Sequence, residues 1–248
     1  MRPTFSVVVP VYNESAFLPT ALPALIAEME RLEEGYAILI VENGSTDSTA
    51  EVARRGGEGH PVTVFSLPEA DYGAAMRHGF LAAEGEWVVN FDIDYFSADF
   101  LERVLDLPEA DLVIASKRDP GSEDRRSLFR RFATRVFNLL LRFMLDSQVT
   151  DTHGMKAFRH ALVSDLAPRV ASREDLFDTE LVIRAERAGY EIVEVPVVVA
   201  EIREARSSLV KRVPRTIRGL WRIRRILAHE VSGLAPAHAP DADPGQPG

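Results

Sequence analysis

Cysteine is absent from this 248-residue chain, so disulfides and thiolate–metal sites are excluded. Long hydrophobic runs are also missing. The best candidate, Phe137 to Leu145, is interrupted by Arg142 and is far shorter than the roughly 20 residues that span a bilayer. The first three residues lead directly into an apolar run, without the charged segment and apolar core of a signal peptide. We therefore expect a protein of the cytoplasm, free or at the inner face of the membrane.

Basic charge is scarce overall but concentrated. The net charge of −9 argues against a general nucleic-acid binder, and no nucleic-acid partner is expected. Residues 117–142 and 203–225 nevertheless hold 17 of the 29 lysines and arginines. Such segments face phosphates or an anionic membrane surface in some proteins and are solvated helix faces in others. Both interpretations stay open for any single arginine.

Short apolar runs rich in β-branched residues predict five buried strands in the first half of the chain, at 5–11, 37–41, 62–65, 87–91 and 112–115. Helical patterns at 16–34, 48–55 and 73–84 separate the first four. Strands that are apolar throughout and alternate with helices indicate a mostly parallel, Rossmann-like sheet covered on both faces. The fold class is therefore α/β.

The second half, 117–232, has a different pattern. It predicts a basic amphipathic helix at 125–145, a helix at 178–188, a strand at 192–199 and a basic helical extension at about 208–230. Residues 233–248 are rich in proline, alanine, aspartate and glycine, with little to bury, which predicts a disordered tail. We expect one domain over 1–232, whose first 116 residues form the nucleotide-binding half.

Two carboxylates, Asp92 and Asp94, stand one residue apart where the fourth predicted strand ends. Alternate residues of an extended segment point to the same side, so both side chains can reach one cation. Mg²⁺ and similar ions take oxygen ligands and share them with substrate phosphates. Ligands of open α/β sheets bind at the carboxyl ends of the strands. The pair therefore predicts a metal–diphosphate site, although two such aspartates can also be turn or cap residues.

Seven motifs in a fixed order carry a family resemblance. They are Val9–Glu14, Val41–Thr49, Tyr72–Gly79, Asp92–Asp94, Ser116–Arg118, Thr150–Phe158 and Phe177–Val197. Together they resemble the inverting glycosyltransferase family 2, and within it the dolichyl- or polyprenyl-phosphate sugar transferases, over about residues 4–210. The resemblance implies a GT-A fold, a nucleotide-sugar donor, and Mg²⁺ or Mn²⁺ as cofactor. Asp92 and Asp94 would be both metal ligands and catalytic residues.

The resemblance also implies a donor-binding set. Its members are Pro10, Tyr12, Glu14, Val41, Glu42, Asn43, Gly73, Asp92, Ile93, Asp94, Arg118 and Arg203. Tyr12 can offer a ring face to the nucleobase, with ordinary packing as the alternative. Glu42 and Asn43 can hydrogen-bond a base edge, but they replace the usual pair of aspartates, which leaves the base undetermined. Asp47 suits a helix cap better than a ligand.

Arginines are predicted to bind the donor phosphates, because their planar fork grips phosphate oxygens through two hydrogen bonds. Arg118 matches a family arginine, and one or two of Arg126, Arg130, Arg131 and Arg135 could join it. Arg203 matches a loop that closes on the phosphates. The lysine expected late in that loop falls near Leu209 and is missing; Lys211 or Arg206 could substitute. This departure weakens the case for a polyprenyl-phosphate acceptor.

Asp178 and Glu180 open a predicted helix, where a negative charge also favours the helix dipole. A hydroxyl acceptor needs a general base, and Asp178 is the best candidate. A lipid phosphate is already anionic, and Asp178 would then orient groups. His153 lies in a matched loop that faces the acceptor by resemblance, with a structural role as the alternative.

The leading hypothesis is a metal-dependent sugar transfer, with inversion, from a GDP-mannose or UDP-glucose type donor to a polyprenyl phosphate. Its two basic helices would lie on an anionic bilayer. A soluble transferase with a small-molecule or glycan hydroxyl acceptor is the first alternative. A sugar-phosphate nucleotidyltransferase is less favoured, because the first loop is acidic and lacks glycine. A non-catalytic nucleotide-sugar binder is the last alternative, and the intact Asp92–Asp94 pair argues against it.

Overall fold

A computed structural model describes residues 2–116, 123–124, 137, 139–149, 152, 154–172, 176–199 and 209–233. Seven strands form one sheet in the order β3-β2-β1-β4-β7-β5-β8. Their bounds are β1 Phe5–Val11, β2 Tyr36–Asn43, β3 Val62–Leu67, β4 Trp87–Asn90, β5 Leu112–Ser116, β7 Lys156–Arg159 and β8 Ile192–Pro196. A separate parallel pair joins β6 (Glu123–Asp124) to β9 (Val198–Val199).

Helices cover both faces of the large sheet, as the apolar strands predict. They are α1 Leu18–Glu30, α2 Thr49–Gly56, α3 Tyr72–Ala82, α4 Ala98–Leu105, α6 His160–Leu166 and α7 Phe177–Ala188, with the short helical segment α5 at residues 139–145 and the long α8 Leu209–Gly233. One core packs α1, α2 and α4 against one face, and a second core packs α3, α6 and α7 against the other. The predicted α/β class and the helical extension are confirmed.

Strand β7 is the largest departure from the predicted organisation. It pairs antiparallel with both β4 and β5, whereas all other neighbours in the sheet are parallel. The strand is four residues long and begins and ends with a basic residue, so its sequence lacks the apolar run that marks the parallel strands. The reversal matters for function, because it brings the first residue, Lys156, to the edge where the parallel strands end.

Other differences are local. Helices α4 and α6 have eight and seven residues and were not predicted. The predicted strand at 192–199 is divided into β8 and β9. Residues 139–145 and 137 are helical within the predicted 125–145 helix, and the rest of that helix lies outside the described residues, as do residues 234–248 of the predicted tail. Among the described residues, none of the helices is long and apolar enough to cross a membrane.

Helix α8 packs on the body of the protein through a third core, formed by Leu141, Leu145, Leu176, Ile183, Leu220, Ile223 and Leu227. Helix α8 approaches Leu176 closely at Gly219, where an added Cβ would lie 2.1 Å from Leu176 Cδ1. A polar contact reinforces the packing: the Arg184 guanidinium of α7 donates two hydrogen bonds to Glu230 of α8, at 2.8 and 3.0 Å. Helix α8 is thus attached to the helix that carries Asp178.

Candidate functional site

The carboxyl ends of β1, β2 and β4 lie side by side, because these strands are neighbours in the sheet. Pro10 pairs with Val41 and Val11 with Glu42, which places the first and second predicted binding motifs at the same level of the sheet. Tyr12 follows β1 directly and its ring is 44% exposed, so it is available to a ligand rather than packed in the core. This edge is where open α/β sheets bind ligands.

The loops after β1 and β2 are fastened to each other by hydrogen bonds. Asn13 has a left-handed backbone (φ 52°), and its Oδ1 accepts from the Thr46 N–H at 2.9 Å. The Asn13 N–H donates to Ser45 Oγ at 3.0 Å, and the N–H of the buried Glu14 donates to Thr49 Oγ1 at 2.8 Å. Tyr12 is therefore carried on a loop that is braced from both sides.

Asp47 lies one residue before Ser48, the N-cap residue of α2, and its carboxylate contacts the start of the helix without being the cap itself. Its carboxylate accepts from the backbone N–H of Thr49, the first residue of α2, at 3.0 Å, and from the Ser15 hydroxyl at 2.7 Å. Partial burial alone would raise the pKa of Asp47, but the hydrogen bonds from Thr49 and Ser15 outweigh it and lower the pKa to about 2. The ionised carboxylate thus ties the first loop to the start of α2.

We predict that Asp47→Ala lowers the free energy of unfolding at pH 7 by about 1 kcal/mol, the usual net contribution of a hydrogen bond, because Thr49 and Ser15 lose their acceptor. The folded-state pKa lies below the ordinary value of 3.8, so the carboxylate stabilises the fold above about pH 4 and stops doing so as the pH falls toward 2. The difference between wild type and variant should therefore shrink below pH 4. Urea denaturation at pH 7, 4 and 3 measures it, with the exposed Glu58→Ala as control. A difference independent of pH would contradict the assigned hydrogen bonds.

Glu42 and Asn43 are both buried, and each side chain accepts a hydrogen bond from a backbone N–H group. Glu42 Oε1 accepts from the Ser45 N–H within its own loop, and Asn43 Oδ1 accepts from the Asp71 N–H at 2.7 Å. The loop after β2 also packs closely on the loop before α3: a Cβ on Gly44 (φ +64°) would lie 2.6 Å from the backbone of Glu69. Their role at a base edge stays a prediction; the structure gives them a loop-shaping role that the sequence did not reveal.

The third motif begins α3. Asp71 caps this helix by accepting from the Ala74 N–H at 3.1 Å, and Gly73 is buried in its first turn. Gly79, further along, packs directly on the sheet, where a Cβ would lie 2.3 Å from Val8 Cγ1. The close approach predicted for these glycines is therefore helix-to-strand packing at Gly79.

Asp92, Ile93 and Asp94 form a tight turn after β4. The Tyr95 N–H donates to the Asp92 carbonyl at 2.9 Å, which closes the turn. Ile93 is 4% exposed and packs in the core, whereas Asp92 is exposed and Asp94 is half-buried. The buried isoleucine thus anchors the turn, and the two carboxylates stand at the surface of the ligand edge.

These carboxylates fit a divalent cation that is shared with a ligand. The described residues contain no group of three or more His, Cys, Asp or Glu side chains that could hold a metal alone. Mg²⁺ is commonly bound by one or two carboxylates together with substrate phosphates and water, which is the donor set available here. Asp92 and Asp94 would hold the ion, and the ion would neutralise the charge of a diphosphate leaving group.

A buried polar cluster lies beside this turn. Asp178, at the start of α7, accepts three hydrogen bonds on the single oxygen Oδ2: from Asn90 Nδ2 at 2.7 Å, from Lys156 Nζ at 3.1 Å and from the Tyr72 hydroxyl at 3.4 Å. Four elements, β4, β7, α3 and α7, converge at this point. The structure therefore places the predicted Asp178 next to the Asp92–Asp94 turn.

Lys156 and Asn90 are site residues that the sequence did not identify. Lys156 is fully buried and also donates to the Gly154 carbonyl at 2.8 Å, and Asn90 is 3% exposed. Asp178 Oδ1 and Asn90 Oδ1 are buried, and no described residue donates to either. Asn90 is the last residue of β4 and Lys156 the first of β7, and the burial that makes them notable is seen only in the structure, since lysine is almost never fully buried unless it is paired.

Glu180, the second carboxylate of α7, has a structural role. It is fully buried and accepts from the N–H groups of Ala171 and Ser172, at 3.1 and 2.7 Å, and from Arg184 Nε at 2.8 Å. It therefore fixes the chain that precedes α7 rather than facing a ligand. Burial alone would lower the pKa of Arg184, but its bonds to Glu230 and Glu180 outweigh this and raise it.

Several predicted site residues lie outside the described residues. They are Arg118, Arg126, Arg130, Arg131, Arg135, His153, Arg203 and Arg206, and the side chain of Lys211 is likewise outside. Their phosphate-binding and acceptor roles stay predictions. The geometry above therefore concerns the loops after β1 and β2, the Asp92–Asp94 turn and the cluster around Asp178.

The sheet order, the braced loops at its carboxyl edge and the acidic turn after β4 define a GT-A type α/β protein. The model of the family described as glycosyl transferase family 2 matches residues 6–166. The chain belongs to this family, and it is a glycosyltransferase.

Two curated relatives come from Haloferax volcanii. Glycosyltransferase AglD is 30% identical over 202 residues, which are 77% of this chain but 32% of AglD, so the chain spans about a third of that protein. Dolichyl-phosphate hexose transferase is 31% identical over 196 residues, covering 77% of this chain and 81% of the relative.

Among solved structures, glucosyl-3-phosphoglycerate synthase from Mycobacterium tuberculosis, in complex with Mn²⁺, uridine diphosphate and glucosyl-3-phosphoglycerate, superimposes with a TM-score of 0.64. The alignment covers 95% of this chain and 82% of that chain at 21% identity, and the same enzyme was also crystallised with Mg²⁺ and uridine diphosphate. At this identity the likeness establishes the shared fold.

Proposed function

We propose that this protein transfers a hexosyl group, with inversion, from a GDP-mannose or UDP-glucose type donor to a polyprenyl phosphate, with Mg²⁺ or Mn²⁺ as cofactor. The observation that carries the proposal is the exposed Asp92–Asp94 turn beside a braced tyrosine loop at the carboxyl edge of the sheet. That arrangement suits a nucleotide whose base lies at Tyr12 and whose diphosphate lies at the acidic turn.

Three groups of residues would bind the nucleoside, the cation and the donor phosphates. The loops carrying Pro10, Tyr12 and Glu14, and those carrying Val41, Glu42 and Asn43, would shape the nucleoside site. Asp92 and Asp94 would hold the cation with Ile93 as their buried anchor. Arg118 and Arg203 would bind the donor phosphates through paired hydrogen bonds. The acceptor oxygen would then attack the anomeric carbon opposite the leaving diphosphate.

A lipid-phosphate acceptor is supported by the dolichyl-phosphate hexose transferase relative, of which this chain covers 81%. It is also supported by the surface of α8. An open groove of about 620 Å³ along α8 is lined by Arg218, Trp221, Arg222, Arg225, Ile226, His229 and Glu230, and Trp221 is 56% exposed. Phe143, in α5, is 85% exposed. Exposed basic and aromatic side chains along α8 suit an anionic bilayer, so we include peripheral membrane contact in the proposal.

The donor site is tested by thermal unfolding with GDP, UDP and dTDP, each with and without Mn²⁺. A nucleotide that binds only the folded protein raises the melting temperature by mass action. We expect one nucleotide to stabilise the protein selectively and only with the metal. If none of the three did so, the donor site proposed here would be wrong.

The acceptor is tested with the nucleotide sugar so identified. We expect a lipid-linked sugar to form with polyprenyl phosphate in anionic vesicles, and less of it in neutral vesicles. Transfer to small hydroxyl acceptors, with none to the lipid, would favour the soluble transferase instead. In that case Asp178 would be the candidate general base.

A further inference from the structure

The two unpartnered acceptors beside the acidic turn point to a ligand that donates hydrogen bonds. Asp178 Oδ1 and Asn90 Oδ1 are both buried, and no donor among the described residues reaches them. A buried acceptor without a donor costs about 1–3 kcal/mol, so native proteins rarely leave two of them in adjacent side chains. The 11% exposure of the Asp178 side chain places the cluster close to the protein surface, although both Oδ1 atoms are themselves covered.

The charge already present indicates which donor belongs there. Lys156 Nζ lies 3.1 Å from Asp178 Oδ2 and is fully buried, so the carboxylate has its counter-ion. A second cation close to that ammonium would be repelled, and a buried site screens the repulsion poorly. Neutral hydroxyl groups meet no such penalty and can donate to both acceptors.

The position relative to the acidic turn is also suitable. Asn90 precedes Asp92 by two residues, roughly 7 Å of extended chain. Residues at positions 88 and 90 face the core formed with α3 and α7, on which side Asp178 lies. A sugar attached to a diphosphate at Asp92 and Asp94 would therefore be next to the pair.

We propose that Asp178 Oδ1 and Asn90 Oδ1 bind hydroxyl groups of the transferred hexose, and that Lys156 is a positioning residue. By holding Oδ2 together with Asn90 Nδ2, Lys156 fixes the carboxylate with Oδ1 left for the sugar. This inference rests on the proposed function and deepens it, because it assigns the recognition of the sugar, as distinct from the nucleotide, to three named residues.

The test compares two ligands in the same calorimetric titration with Mn²⁺: the nucleoside diphosphate that stabilises the wild type, and the corresponding nucleotide sugar. We expect Asn90→Ala and Asp178→Asn each to weaken binding of the nucleotide sugar about ten-fold, the effect of losing one hydrogen bond to a buried group, and to leave the diphosphate within about two-fold. Asp165→Asn, which changes a surface carboxylate on α6, should alter neither affinity. Either site variant is sufficient for the test should the other fail to fold.

A further experiment measures the affinity of donors in which single sugar hydroxyls are replaced by fluorine. A purely structural role of Asn90 would not change how affinity depends on a single hydroxyl. The hydroxyl bound by Asn90 should matter in the wild type and cease to matter in Asn90→Ala. Equal weakening of both ligands, or no weakening of the nucleotide sugar, would overturn the inference while leaving the donor site intact. A wild type that binds no nucleoside diphosphate would overturn the proposed function, and the inference with it.

Discussion

Asp92→Asn is expected to lower turnover roughly a thousand-fold while leaving the fold intact. The exposed side chain contributes little packing, so the substitution removes charge at nearly constant shape. Stabilising a developing leaving-group charge through a metal ligand contributes several kcal/mol, and each 1.36 kcal/mol is ten-fold in rate. The expected loss therefore belongs to the chemical step. Steady-state kinetics with the donor identified by thermal unfolding measures it.

A second measurement separates metal binding from other effects of the change. The metal-dependent part of the thermal stabilisation by the nucleoside diphosphate should disappear in Asp92→Asn, and the melting temperature of the free protein should stay the same. Asp99→Asn is the matched control, because this carboxylate is also exposed and its ion pair with Arg31 at 3.0 Å is a surface contact worth little. Full turnover by Asp92→Asn would instead support a protein that binds nucleotide sugars without this metal-assisted chemistry.

Lys156→Met is expected to destabilise the protein by about 3–5 kcal/mol, because it leaves the Asp178 carboxylate buried without a counter-ion. Lys156 is fully buried and Asp178 is 8% exposed, so solvent cannot replace the lost ammonium. For a domain of this size we expect a fall in melting temperature of about 10 °C. Urea denaturation gives the free energy directly, provided the slope with denaturant is unchanged.

The control for this prediction is an ion pair of similar length at the surface. Arg55 and Glu51 are 2.6 Å apart with side chains 72% and 69% exposed, and Arg55→Met should cost less than about 1 kcal/mol. Replacing both buried partners, as in Lys156→Met with Asp178→Leu, should recover much of the lost stability, because no buried charge remains. A cost below 1 kcal/mol for Lys156→Met alone would show that the pair does not hold the cluster together.

Much of the fold was predictable because its signals are local. The central parallel strands are largely apolar runs closed by turns, so β1 begins and ends where its sequence predicts, and β5 extends the predicted 112–115 by one residue. The Asp92–Asp94 turn was equally predictable, since two carboxylates after a buried strand form a pattern within five residues. The contact of Asp47 with the start of α2 is local in the same sense, because its partner Thr49 is two residues later, whereas its partner Ser15 is 32 residues away.

The cluster around Asp178 was not predictable in the same way. Its partners Asn90 and Lys156 lie 88 and 22 residues away along the chain, and they meet only because β7 enters the sheet antiparallel beside β4. Nothing in a four-residue strand with basic ends specifies that insertion; it depends on which sheet neighbours give its middle residues, Ala157 and Phe158, a buried place. Glu42 and Asn43 similarly acquired their loop-shaping partners only in the folded chain.

By itself, the sequence determined the α/β class, the approximate positions of the parallel strands of the large sheet and the acidic turn, because hydrophobic periodicity and turn chemistry act over a few residues. The tertiary structure alone decided which distant polar groups share a buried volume: Lys156 with Asp178 and Asn90, and Arg184 with Glu230. The physical reason is that a buried charge is tolerated only next to its partner, and that partner is chosen by strand order and helix packing across the whole chain.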